Sequence, residues 1–151
     1  MYAHIPDLAP YPVTIIDESH QYNLVAIGWL NADHDYPTGD VPIDFLVRIE
    51  QFCTKPLIRT FGADFCSLCG VEEVIRMRLL SGKEFTLYGA NEIRILSLDK
   101  DKVYAAPDLV LHYIVSHHYK PPQEFIDAVL AAPLPGTPEY DAFISPWKKY
   151  H

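Results

Sequence analysis

No run of apolar residues in this sequence approaches the ~20 residues that a membrane-spanning helix requires. The first residues, Met1 to Asp7, also lack the basic and apolar regions of a secretory signal peptide. Basic residues are few: 12 Lys and Arg stand against 20 Asp and Glu, which gives a net charge of -8. Nucleic-acid binding depends on Lys and Arg contacts to phosphate. We therefore expect a cytoplasmic protein that binds neither nucleic acid nor membrane.

Only three cysteines occur, and an odd number argues against a disulfide framework in a reducing compartment. Charged residues make up 21% of the chain and apolar residues 49%, which is typical of a folded globular protein rather than a disordered one. The length of 151 residues suits one hydrophobic core. No repeat or linker divides the chain, so we predict a single domain over residues 1–151.

The apolar pattern predicts short strands followed by helices. Alternating or continuous apolar runs favour strands at residues 13–16, 24–30, 74–80, 84–88, 92–98 and 103–106. Helical spacing favours a helix that Asp40 caps and that ends near Cys53, and further helices over 108–117, 123–132 and part of 139–147. This order predicts an α+β fold in which a small antiparallel sheet carries packed helices.

The three cysteines form the strongest candidate site. Cys66-Ser-Leu-Cys69 places two thiols close enough together to bind one metal ion, and Cys53 supplies a third from the core side of its helix. Closed structural zinc sites take four Cys or His ligands. For the fourth we predict His117, on the apolar stripe of its helix, with Asp64 as its main competitor and with His112 and His118 as weaker candidates off that stripe. The result is a structural zinc in a zinc-knuckle-like loop.

Other interpretations of these residues stay open. Cysteine is often a small buried hydrophobe without a ligand, and a Cys-x-x-Cys pair can also be a redox dithiol. The alternative function is a small metal- or thiol-dependent enzyme centred on Cys66, Cys69 and His117, in which a zinc ion would keep an open position. No familiar catalytic motif supports it.

Acidic turns supply the candidate partner-binding residues. An acidic surface favours a basic protein partner and speeds encounter with it. The turn at Asp17 and Glu18 and the loop over residues 31–40 carry most of this charge in the first third of the chain. Within the loop the candidates are Asp33, His34, Asp35 and Asp40.

Several segments resemble those of an uncharacterised family of small bacterial single-domain proteins. The family has no established activity, and its members often carry a histidine where this chain has Asp64. The resemblance covers nearly the whole chain and rests chiefly on Gly62-x-x-x-Cys66-x-x-Cys69 and on Tyr104-Ala105-Ala106-Pro107 followed by His112-Tyr113, His117 and Pro121-Pro122-x-Glu124-Phe125-Ile126.

Small acidic bacterial proteins without an active site are frequently immunity proteins, which neutralise a toxin by binding it. A nuclease toxin presents a basic cleft that an acidic surface can fill. We therefore predict a non-enzymatic acidic binding protein, stabilised by a structural zinc, that neutralises a toxin with a basic surface.

Overall fold

The computed structural model describes residues 4–12, 23–60 and 62–150, with the backbone alone for 148–150. The strands are β1 (Asn23–Ala26), β2 (Ile75–Arg78), β3 (Glu84–Leu87), β4 (Glu92–Leu96) and β5 (Lys102–Pro107). The helices are α1 (Ile43–Thr54), α2 (Val110–His117), α3 (Gln123–Ala131), α4 (Pro138–Ile144) and a closing 3-10 helix (Ser145–Tyr150). The predicted α+β class is confirmed. The predicted strand at 13–16 and the turn residues Asp17 and Glu18 lie outside the described residues.

The strands form two small sheets. β4 and β5 pair antiparallel, β1 joins the other edge of β5 in parallel, and β2 and β3 form a separate antiparallel hairpin. The larger sheet is therefore mixed, whereas the sequence pattern had predicted an antiparallel one. β1 is also shorter than predicted, because the chain turns at Gly28 with a φ of 74°. A Cβ at this position would lie 2.7 Å from Val110 Cγ2, so glycine also permits the approach of α2.

The helices cover the sheet and enclose an aromatic core. The ring of Phe125 on α3 makes edge contacts with Phe45 on α1 and Tyr104 on β5. Trp147, a residue of the closing helix, is fully buried. No helix in the described part of the chain is both long and apolar enough to cross a membrane.

Asp40 does not cap α1 as predicted. The residue before the helix is Pro42, which makes no side-chain cap, and Asp40 Oδ1 instead lies 3.0 Å from His118 Nε2. His118 follows the last residue of α2 in a left-handed conformation with a φ of 55°. This conformation ends the helix directly after His117 and orients His118 toward Asp40.

Candidate metal centre

The candidate site lies between an irregular loop and α2. Residues 63–72, here called the knuckle loop, contain no helix or strand. The Cys69 amide donates to the Cys66 carbonyl and closes a tight turn between the two thiols. At its start the loop is attached to the β3–β4 turn, because the Asp64 amide donates to the Tyr88 carbonyl. Metal coordination would give this segment an anchor that its own backbone bonds do not supply.

Four donor atoms converge at this point, from Cys66, Cys69, His112 and His117, and all lie within 4.8 Å of one another. The two thiols are 3.8 Å apart. Cys66 Sγ lies 3.5 Å from His117 Nε2, and Cys69 Sγ lies 3.3 Å from His112 Nε2. Cys69 Sγ is also 3.4 Å from His117 Nε2, and the two Nε2 atoms are 3.2 Å apart.

Five of the six separations, from 3.2 to 3.8 Å, are close to the edges of a metal tetrahedron. The sixth, between Cys66 Sγ and His112 Nε2, is at most 4.8 Å. Zinc bonds of ~2.3 Å to sulfur and ~2.0–2.1 Å to nitrogen hold four tetrahedral donors about 3.3–3.8 Å apart. Hydrogen bonding explains the cluster less well. An imidazole nitrogen carries either one hydrogen or one lone pair, so it normally makes one hydrogen bond. His117 Nε2 nevertheless lies within 3.5 Å of all three other metal-donor atoms of the cluster. The arrangement could hold one metal ion.

Cys53, which was predicted as a ligand, is not among the four donors that converge. Its side chain is fully buried in the core, and burial raises its thiol pKa well above the ordinary value. The fourth converging donor is His112. Asp64, the predicted competitor of His117, is also outside the group, and its Oδ1 accepts a hydrogen bond from the Phe65 amide.

His112, which was predicted as a weaker candidate because it lies off the apolar stripe of its helix, is one of the four converging donors. Residues five apart are separated by ~140° around an ideal helix, so His112 and His117 do not share a face. They converge because His117 is the last residue of α2, and their rings meet edge to face at 4.9 Å. The spacing Cys-x-x-Cys followed by His-x4-His was the available signal, since it matches the order of Cys2His2 zinc sites.

Residues 3–130 match a family described as a domain of unknown function, DUF7919. The chain belongs to this family. The resemblance to an uncharacterised family is confirmed to that extent, while the bacterial origin stays a prediction. No curated protein and no solved structure matches the chain. The function of this DUF7919 chain must therefore be inferred from its own residues.

Burial sets the protonation of His112, His117 and Cys66. It lowers the pKa of His112 to about 4, with the neighbouring His117 contributing, and it also lowers the pKa of His117. Both imidazoles are therefore neutral at pH 7 and can offer a lone pair. Burial raises the pKa of the Cys66 thiol to about 11, so without a metal this thiol is protonated. Metal binding must release that proton.

The predicted partner-binding residues of the 31–40 loop are exposed. The side chain of Asn31 organises the turn, since its Oδ1 accepts from the Asp33 amide and lies 2.9 Å from His34 Nδ1. The ring of His34 stacks on His4 at 4.1 Å. His34, which stands between Asp33 and Asp35 in the sequence, is thus held by contacts with Asn31 and His4. The role of Asp33, His34, Asp35 and Asp40 in partner binding stays a prediction.

Proposed function

We propose that this protein binds one zinc ion through Cys66, Cys69, His112 and His117, and that the ion fixes the knuckle loop against α2. The observation that carries the proposal is the agreement between the donor separations and the edges of a zinc tetrahedron. Among the common cellular metals, zinc is the one that best suits a set of two thiolates and two imidazoles.

A structural role fits this site better than a catalytic one. Catalytic zinc keeps one coordination position for water or substrate, whereas four protein donors fill a tetrahedron. The site also joins a loop without regular secondary structure to a helix that is distant in sequence. We therefore favour a zinc-stabilised binding protein over the alternative of an enzyme centred on Cys66, Cys69 and His117.

The partner that we propose is a protein with a basic surface. The net charge of -8 and the exposed carboxylates of the 31–40 loop support it, because opposite charges steer encounter. Within this class, a bacterial toxin neutralised by binding is our specific proposal. Association with such a partner should slow as ionic strength rises above ~0.15 M, where the screening length falls below ~8 Å.

Elemental analysis tests the metal proposal directly. Protein purified without added metal should contain one zinc per chain, and Cys69→Ser should lose it because a hydroxyl is a poor zinc ligand. Cys53→Ala is the matched control. It removes the third cysteine, which is fully buried and is not among the four converging donors, and should keep a full equivalent of zinc.

Two results would contradict the proposal. One is parent protein without metal and with three reactive thiols. The other is a Cys53→Ala variant that folds but loses zinc as completely as Cys69→Ser. His112→Ala separates the ligand set proposed here from the set predicted from the sequence, since it should lower zinc affinity only if His112 coordinates.

A further inference from the structure

A groove of about 500 Å³ runs beside the metal centre. One wall is the knuckle loop, including Phe65, Cys66 and Val71, and the other is the start of the 31–40 loop at Ala32 and Asp33. The volume lies within the ~300–1,000 Å³ typical of ligand clefts. The Ala32 amide donates to Ser67 Oγ at 3.0 Å and links the two walls.

The lining combines apolar surface with negative charge only. Phe65 is half-buried and Val71 is 52% exposed, so both leave apolar surface accessible in the groove. Asp33 and Glu72 contribute carboxylates, and no Lys, Arg or His lines the groove. Among the residues that the structure describes, neither carboxylate forms an ion pair. Both charges are therefore available to a cation from outside.

We propose that this groove binds an arginine side chain on a protein partner. The aliphatic stem of arginine covers apolar surface while its head remains among polar groups. The planar guanidinium stacks on aromatic rings such as Phe65, and its five N–H donors can serve both Asp33 and Glu72. The inference rests on the proposed role as a binding protein and assigns that role to a surface.

The metal centre and the groove share a wall. Cys66 belongs to both, and Ser67, which bonds to the opposite wall, is the next residue. Zinc would thus hold one side of the groove in place. Removing the ion should weaken arginine binding even though no metal ligand need touch the guanidinium.

The test is an NMR titration of the full chain, purified without added metal, with acetyl-Ala-Arg-Ala-amide. The same peptide with citrulline in place of arginine is the matched ligand control, because citrulline keeps the shape and loses the charge. Asp33→Asn combined with Glu72→Gln removes both groove carboxylates. Asp99→Asn combined with Glu139→Gln changes net charge equally at exposed sites outside the groove.

The arginine peptide should shift amide resonances of residues 32–33 and 65–72, and the citrulline peptide should not. The groove double variant should weaken binding by ~3- to 10-fold, whereas the control double variant should stay near the parent value. Equal binding of both peptides, shifts confined to other surfaces, or equal weakening in both double variants would each overturn the proposal.

Metal content measured on the same samples separates the two proposals. If zinc is present and the arginine peptide leaves the groove unshifted, the groove assignment fails and the zinc clamp stands. If zinc is absent and the arginine peptide still shifts the groove, the clamp fails and the groove assignment stands.

Discussion

Asp108 should make the protein less stable as pH rises from 5 to 8. It lies between β5 and α2 and is only 1% exposed, and its Oδ1 accepts no hydrogen bond from the described residues. Burial raises its pKa to about 7, although the backbone amides of Gly89 and Leu109 favour the charged form. The folded state therefore keeps a proton that an unfolded aspartic acid loses near pH 3.9.

The magnitude follows from proton linkage. A raised pKa contributes stability that is complete below about pH 4 and is lost as pH rises through about 7. Between pH 5 and 7 the folded state holds about one extra proton, and each pH unit costs about 1.4 kcal/mol. Ionisation of Asp108 should therefore lower the free energy of unfolding by roughly 2.5 kcal/mol between pH 5 and pH 8.

Urea unfolding of the parent and of Asp108→Asn at both pH values measures this effect. The variant cannot ionise, so its stability relative to the parent should improve by the predicted amount as pH rises. Any pH dependence of metal binding cancels, because both proteins keep the four metal donors. Asp99→Asn, at an exposed carboxylate, should follow the parent. If Asp108→Asn also follows the parent from pH 5 to 8, the carboxyl ionises normally and the reasoning is wrong.

Three further results are expected. Gly28→Ala should lower the free energy of unfolding by at least ~1–2 kcal/mol, because the new Cβ meets Val110. The loss should exceed that of Gly136→Ala, where φ is also positive but the space is open. Equal losses in urea unfolding would show that the Cβ at position 28 meets no clash. Zinc affinity, measured by chelator competition, should rise about tenfold per pH unit for the proton that Cys66 releases, and a flat profile from pH 6 to 8 would argue against thiolate coordination. Removing the metal with a chelator should increase amide hydrogen exchange in the knuckle loop earlier than in β4 and β5. A uniform loss of protection would show that the ion supports the whole fold.

Periodicity predicted the regular elements well because it reports local burial. The stripe from Ile43 to Cys53 predicted α1, which the structure extends by one residue to Thr54. Alternation at residues 74–80 and 84–88 predicted two strands, which the structure pairs as β2 and β3 through the register Arg78↔Glu84. In both cases the residues that decide the structure are neighbours in sequence.

The pairing of β1 and the grouping of the four donors depend on contacts between segments that are distant in sequence. The run at 24–30 predicts a strand but does not identify β5 as its partner. Cys53 is buried in the core as predicted, yet it is not among the four donors that converge. His112 joins the thiols through the position at which α2 ends, and that position depends on the left-handed conformation of His118.

The parallel pairing of β1 with β5 delays the folding of this sheet during synthesis, because the two strands are far apart in the sequence. Val25 lies opposite Tyr104, so at roughly 5–20 residues per second β1 leaves the ribosome on the order of ten seconds before its partner exists. An unpaired strand edge invites pairing with other nascent chains. The segment at residues 8–11 offers a local remedy, since its backbone exchanges hydrogen bonds with Leu24 and Ala26. A chaperone-free translation system would test whether changes in this segment cause aggregation before they alter the finished protein.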